Sequence, residues 1–99
     1  MNSKITSPLN HSKLKGKNLT LKWCPNKKTE SWYILVINMH NYEIIFNGFV
    51  TNTLELKFSN MPTNGEEIGV YFMPLKAHDF AKLQHYIYTA DTQSKRDRI

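Results

Sequence analysis

The feature that most constrains the fold is an eight-residue stretch, SWYILVIN, in which nearly every side chain is apolar. This stretch spans Ser31–Asn38 and is rich in aromatic and β-branched residues, which favour extended backbone. Successive residues of a strand point to opposite faces of a sheet, so a strand that is apolar throughout is normally covered on both faces. We therefore predict a central strand at Ser31–Asn38, with the side chains of Ile34–Ile37 largely buried.

Period-two patterns elsewhere in the chain predict further antiparallel strands. Leu19, Leu21 and Trp23 alternate with polar residues, and the pattern ends before Pro25, which cannot donate to a strand ladder. Similar alternation recurs after the turn at His40 and again after the loop at 60–65. The predicted strands cover approximately residues 18–23, 31–38, 42–46, 49–58 and 67–73.

A two-residue hairpin is predicted at Asn47-Gly48, because Asn-Gly is the sequence that a type I′ turn prefers. A turn there would place Phe46 opposite Phe49 and would carry the alternation on to Phe58. A turn at Thr51-Asn52 is the competing register.

A C-terminal amphipathic helix is predicted over residues 76–90. Pro74 suits the first turn of a helix, and Phe80, Leu83, Ile87 and Ala90 follow at helical spacing. The predicted fold is thus mainly β within an α+β class. About five antiparallel strands form a curled sheet, small barrel or sandwich, and the helix covers one face. The second face then needs either a closed barrel or a binding partner.

Charge divides the chain into three predicted parts: a basic extended arm at 1–17, one β-rich domain at 18–91, and a basic tail at 92–99. The first 28 residues contain seven lysines and no acidic residue, whereas residues 29–91 contain three lysines and seven acids. The length of 99 residues fits a single core. Basic ends on an acidic body are typical of an arm that contacts a polyanion.

Candidate nucleic-acid contacts follow from this charge pattern. Eleven of the thirteen basic residues are lysine, which contacts phosphate as a point charge and reads bases less well than arginine. Tyrosines 42, 71, 86 and 88 could lie on a surface and stack bases if lysines flanked them. The candidate residues are Lys13, Lys15, Lys17, Lys22, Lys27, Lys28, Lys95, Arg96 and Arg98.

Neither a catalytic nor a metal site is predicted. His78 and His85 are seven residues apart on the predicted helix, a rise of about 10.5 Å, which is too far for one metal ion. Together with Lys82 and Glu66 they supply the residue types of a ribonuclease, but most small basic proteins do so. The chain has no phosphate-loop motif, so no cofactor is expected.

We expect a cytoplasmic protein without a membrane partner, because Cys24 is the single cysteine and the N-terminus lacks an apolar signal region. The leading functional hypothesis is a non-enzymatic protein–protein interaction domain, which could be a regulator, an inhibitor or a self-associating accessory protein of bacterial or phage origin. The alternative is a sequence-tolerant nucleic-acid-binding protein that uses the basic arm. An RNase-type toxin ranks third.

Overall fold

The computed structural model describes residues 4–24, 31–75 and 83–92, and these contain seven strands and no helix. The strands are β1 (Lys4–Ser7), β2 (Leu19–Cys24), β3 (Ser31–Asn38), β4 (Ile44–Thr51), β5 (Glu55–Phe58), β6 (Glu67–Pro74) and β7 (Gln84–Thr89). They form a three-stranded sheet in the order β1-β2-β5 and a four-stranded sheet in the order β4-β3-β6-β7. All of these strand pairs are antiparallel. The antiparallel, mainly β prediction is therefore confirmed, and the form it takes is a sandwich.

One hydrophobic core joins the two sheets. Trp23 of β2 packs edge-on against Trp32 of β3, with ring centroids 5.6 Å apart, and lies 5.7 Å from the ring of Phe72 on β6. Leu21 from the three-stranded sheet and Val70 from the other are fully buried. The alternating apolar residues of each strand thus meet between two layers, as in other sandwiches.

The central position predicted for Ser31–Asn38 is confirmed, because β3 pairs with β4 on one side and β6 on the other. The burial prediction holds for only one face. Ile34 and Val36 are fully buried, whereas Leu35 and Ile37 are half-buried. These two side chains point away from the sandwich interior, since neighbouring strand residues alternate between faces.

The hairpin predicted at Asn47-Gly48 is wrong. Both residues lie inside β4, where they pair with Leu35 and Ile34 of β3. The competing turn is only partly right: the chain does leave β4 after Thr51, and Asn52 has a φ of 56°. However, β5 then pairs with β2 in the opposite sheet, so no hairpin joins β4 to β5. The alternation of apolar residues is the same whether β4 and β5 form a hairpin or lie in different sheets, so the sequence pattern did not distinguish the two arrangements.

The predicted C-terminal helix is wrong over Gln84–Thr89, which forms β7 and pairs with β6. Residues 76–82 of that prediction lie outside the described residues. Tyr86 and Tyr88 occupy alternate positions on the inner side of β7, and Tyr88 is fully buried. Aromatic and β-branched residues favour a strand here, and this preference outweighs the helical spacing of Leu83 and Ile87.

The N-terminal segment predicted as an arm contributes to the sandwich. β1 pairs with β2, and Ile5 and Leu14 are buried, while Leu9 is exposed. Residues 10–14 run along the outer edge of β7. The amide of His11 donates to the carbonyl of Ile87 at 2.7 Å, and that of Leu14 donates to the carbonyl of Thr89 at 2.8 Å. This segment therefore covers one edge of the four-stranded sheet.

Two tyrosine hydroxyls fix the same segment. Tyr88 donates to the carbonyl of Pro8 at 2.9 Å, and the amide of Ile5 donates to the hydroxyl of Tyr86 at 3.1 Å. Burial raises the pKa of both phenols. The expectation that these tyrosines lie on a surface is therefore wrong for Tyr88, while Tyr86 is half-buried.

Candidate interaction face

The outer side of the four-stranded sheet carries an apolar and aromatic surface. Strand register places its residues in three rows across β4, β3, β6 and β7. We call this surface the four-stranded face. Its twelve positions point outward and carry no Lys, Arg, Asp or Glu, and the next outward position of β6, the exposed Glu67, borders it. The rows are Phe49, Tyr33 and Met73; Asn47, Leu35, Tyr71 and His85; and Ile44, Ile37, Gly69, Ile87 and, beside Gly69, Met39.

Ring contacts hold the aromatic groups of this face in place. Tyr33 packs against Phe49 with centroids 5.4 Å apart, and its hydroxyl donates to the Oδ1 atom of Asn47 at 2.6 Å. His85 stacks on Tyr71 at 4.2 Å with an interplanar angle of 5°. Large side chains that are ordered before binding lose less conformational entropy when a partner covers them.

The face is also open to contact. Phe49 is 70% exposed and Ile44 is 56% exposed, although each lies in a strand. The other apolar side chains of the face are half-buried by their neighbours. A contiguous exposed apolar surface of this kind is typical of a protein–protein contact.

Gly69 creates a gap in the third row that a methionine occupies. A Cβ atom at Gly69 would lie 2.6 Å from the Sδ atom of Met39 and 3.4 Å from the Nε2 atom of His85. The absence of a side chain at Gly69 therefore allows Met39 to lie across the sheet. Methionine is flexible and polarisable, so this part of the face can adapt to the shape of a partner.

The outer side of the three-stranded sheet has the opposite character. Lys22 pairs with Glu55, and Lys57 pairs with Thr20, while Lys4 lies beside Cys24 at the edge. All three lysines are exposed, and the ammonium of Lys57 lies 3.5 Å from the carboxylate of Glu55. One outer surface of the sandwich is therefore charged and the other is apolar.

The predicted nucleic-acid contacts that the structure describes do not lie on the four-stranded face. Lys13, Lys15, Lys17 and Lys22 are exposed, the first three along the N-terminal segment and the last on β2. Lys13 lies beside Thr89 at the edge of β7. The remaining candidates, Lys27, Lys28, Lys95, Arg96 and Arg98, lie outside the described residues.

Of the side chains that could serve a ribonuclease, Glu66 and His85 are described by the structure, and these two are separated. Glu66 directly precedes β6, whereas His85 lies opposite Tyr71, four residues beyond Glu67, which corresponds to about 13 Å along a strand. Hydrogen bonding from Asn38 is the main cause that lowers the pKa of the Glu66 carboxyl. Desolvation opposes this effect, and hydrogen bonding from Asn64 and the charge of His40 lower the pKa further. His78 and Lys82 lie outside the described residues.

Metal and thiol chemistry find no support in the part of the chain that the structure describes. Within it, no three His, Cys, Asp or Glu side chains converge as metal ligands would. The half-buried thiol of Cys24 donates to the carbonyl of Lys4 at 3.6 Å, which ties β2 to β1. Over the same residues, no helix is long and apolar enough to cross a membrane.

A shallow cleft of about 390 Å³ lies where the two sheets diverge between β4 and β5. Its walls include Ile45 and Phe58, with Glu43 and Lys57 at the rim. Phe58 meets Phe46 edge-on, with ring centroids 5.7 Å apart, and all three apolar side chains are half-buried. The side of the sandwich along β4 is therefore incompletely closed.

Comparison with known proteins identifies the fold. No family model and no curated protein matches the chain. The crystal structure of FN3tt has a TM-score of 0.53 and 15% identity, and the match covers 93% of this chain and 99% of that one. A structure of an FN3tt mutant matches with a TM-score of 0.48 and 16% identity, over 77% of this chain and 78% of that one. The chain is therefore a small β-sandwich module with an FN3-like fold.

The sequence contained a signal for the four-stranded face that the burial prediction misinterpreted. Tyr33, Leu35 and Ile37 make β3 apolar on its second side, which suggested a covering element. Their neighbours on β6 and β7 are Met73, Tyr71, Gly69, His85 and Ile87, so the mainly apolar surface extends beyond one strand. Only the strand order shows that these residues are neighbours.

Proposed function

We propose that this protein is a non-enzymatic, cytoplasmic binding module whose four-stranded face binds another protein. The observation that carries the proposal is the uncharged, aromatic character of that face in a chain with 21% charged residues. Depletion of charge and enrichment of aromatic residues distinguish the centre of a protein interface from ordinary surface. Tyr33, Tyr71 and Phe49 are the side chains that we expect to contribute most of the binding energy.

The chemistry of the partner follows from the rim of the face. At the β7 edge the exposed Lys13 lies beside Thr89, and the exposed Lys15 follows it along the N-terminal segment, while the exposed Glu67 borders the face at the start of β6; the chain carries a net charge of +5. We therefore propose a partner with an apolar patch bordered by acidic groups, because complementary charge at a rim increases the rate of association. A regulator or inhibitor needs no more than such a surface.

Photo-crosslinking in the native host tests the face directly. A photoreactive residue at His85 should give a specific crosslinked protein, while the same residue at Lys22, on the opposite outer surface, should not. The captured protein is then purified and titrated by calorimetry. We expect Leu35→Glu, at the centre of the face, to weaken binding at least about tenfold, equivalent to about 1.4 kcal/mol. Lys22→Glu should leave binding unchanged.

Two outcomes would overturn this proposal. One is crosslinking from the Lys22 position alone. The other is that the Leu35→Glu variant binds the captured partner with unchanged affinity, while circular dichroism shows that the variant is folded. Leu35→Glu introduces a charge at a half-buried position and could affect folding. Tyr71→Ala introduces no charge and therefore provides a milder second variant at the same face.

A second candidate function, sequence-tolerant binding of nucleic acid, is favoured by the spacing of the N-terminal lysines. Lys13, Lys15 and Lys17 are exposed, and they alternate with Leu14, which is buried, and Gly16, whose amide donates to the carboxylate of Asp91 at 2.6 Å. The segment is thus anchored with its lysines outward. Binding of this kind would neutralise phosphates without reading bases.

Fluorescence anisotropy with DNA and RNA at two salt concentrations tests this alternative. Replacing the three lysines with Gln should flatten the slope of log affinity against log salt by about 2 to 3, since each phosphate contact on duplex DNA contributes about −0.9. The loss should be similar for every sequence. If neither nucleic acid binds at low salt, this alternative is excluded.

A further inference from the structure

The four edges of the two sheets differ in how they are protected from pairing with another strand. β1 and β5 have four residues each; β1 has a register irregularity and is followed by Pro8, and β5 carries Glu55 and Lys57. Hydrogen bonds from residues 10–14 occupy the edge of β7. Shortness, irregularity, charge and a covering segment are the usual means by which proteins prevent edge pairing.

Among the described residues, the β4 edge is neither short, charged nor covered. Its one register irregularity, at Ile45 between the paired residues Ile44 and Phe46, lies near the start of the strand and leaves the pairing regular from Phe46 onward. Ile44–Thr51 is eight residues long and contains no charged residue and no proline. β3 is its strand partner on one side, and the described part of the chain supplies none on the other. A long, uncharged edge presents backbone N–H and C=O groups that can extend the sheet.

We propose that β4 pairs antiparallel with β4 of a second copy of this chain, which joins two four-stranded sheets into one of eight strands. In an antiparallel pair of identical strands, residue i lies opposite residue j and residue j opposite residue i, so the side chains of each strand lie beside those of its copy. A charged strand would therefore oppose like charges, whereas β4 has none despite the net charge of +5. The lack of charge makes this strand compatible with its own copy.

Side chains on both faces of β4 also favour a second copy of this chain as the pairing partner. With the axis normal to the sheet, the outward residues of one copy lie beside those of the other, so the exposed ring of Phe49 gains apolar neighbours. On the inner side, the half-buried Ile45 and Phe58 line the cleft between β4 and β5, and the half-buried Phe46 packs against Phe58. A second sandwich at this edge would reduce the exposure of these three side chains to water.

The contact uses the backbone of an edge, so it does not require the four-stranded face to bind another protein. It leaves most of that face free and doubles its extent, because both copies present it on the same side. An interface made by one strand pair is at the lower end of the size range. We therefore expect a reversible dimer whose population depends on concentration.

Sedimentation velocity from low micromolar to submillimolar concentration tests the proposal. The unmodified chain should shift from monomer to dimer. Phe49→Lys should remain monomeric with an unchanged circular dichroism spectrum, because it places a lysine on each of the two paired strands, at a side chain that is 70% exposed. Leu9→Lys is the matched control, since Leu9 is 72% exposed and lies outside β4, and it should still dimerise.

A spin label distinguishes the edge from the face as the site of contact. With Cys24→Ser as background, a label at position Asn47 should show dipolar broadening in the dimer, whereas a label at Lys22 should not. His85→Lys, at the far side of the four-stranded face, should keep the dimer. The proposal is overturned if the unmodified chain is a monomer at every concentration. It is also overturned if His85→Lys abolishes the dimer while Phe49→Lys leaves the dimer intact. Either result leaves the crosslinking test of the face unaffected.

Discussion

A buried amide joins two loops at one end of the four-stranded sheet. Asn38 is 4% exposed, and its Oδ1 atom accepts from the backbone amide of His40 at 2.8 Å. Its Nδ2 group donates to the Oε1 atom of Glu66 at 2.9 Å, and the side-chain amide of Asn64 donates to the same oxygen at 2.6 Å. The turn after β3 is thereby linked to the loop before β6.

The Glu66 carboxylate predicts a pH dependence of stability. Its pKa is lowered in the folded protein, chiefly by hydrogen bonding from Asn38, so the ionised form stabilises the fold. This contribution is present above the pKa of an unfolded glutamate, about 4.3, and is lost as the pH falls through the folded value. In urea denaturation, Glu66→Gln should be less stable than the unmodified chain at neutral pH, and the difference should narrow in acid.

Glu67→Gln is the matched control for this experiment. Glu67 is the exposed neighbour, and its replacement should have a smaller effect at neutral pH. A difference between Glu66→Gln and the unmodified chain that stays constant from neutral pH down into acid would contradict the role assigned to the carboxylate.

The hydroxyl of Tyr88 predicts a loss of stability on substitution. Tyr88→Phe removes the hydrogen bond to the carbonyl of Pro8, which we expect to cost about 1 kcal/mol in free energy of unfolding. Tyr42→Phe is the control, because Tyr42 is 72% exposed. Equal unfolding midpoints for these two variants in urea would show that the Tyr88 hydrogen bond does not stabilise the attachment of the N-terminal segment.

At the scale of elements, local pattern predicted some strands and misassigned others. β2, β3 and β6 were predictable, because each combines alternation or a β-branched run with clear breaks at both ends. β4 was not, because Asn47-Gly48 carries the hairpin signal but pairs within a long strand. The four-stranded face could not be predicted for the same reason: its residues come from strands whose order depends on long-range pairing.

Gly48 has a structural role that the hairpin hypothesis did not anticipate. The φ angle of Gly48 is not positive, so the backbone there does not require glycine. A Cβ atom at this position would lie 3.3 Å from the Cζ atom of Phe46. Gly48→Val should therefore destabilise the fold through crowding, by about 1–3 kcal/mol. Adding Phe46→Leu should recover part of the stability that Gly48→Val loses, as a double-mutant cycle in urea would show.

Backbone strain at Gly48, as an alternative to crowding, would give a different result in the double-mutant cycle of Gly48→Val and Phe46→Leu. If Gly48 were needed for a positive φ, shortening Phe46 would not relieve the strain. Additive losses in the double variant would therefore contradict the crowding explanation, whereas a favourable coupling between the two positions would support it.

At the scale of the whole molecule, the sandwich has two outer surfaces of different chemistry. The three-stranded sheet presents Lys4, Lys22 and Lys57, while the four-stranded sheet presents the uncharged aromatic face. An FN3-like fold does not by itself specify a function, so the function depends on what these surfaces bind. The contrast between them supports the proposal that one surface faces solvent and the other faces a partner.

The most direct test of the proposed binding surface is a map of amide resonances during titration with the crosslinked partner. The account predicts that the largest shifts occur at Leu35, Tyr71 and His85, in the middle of the four-stranded face. Resonances of Lys22 and Lys57 on the opposite surface should hardly move. Largest shifts at Lys22 and Lys57, with Leu35 and Tyr71 unchanged, would contradict the account.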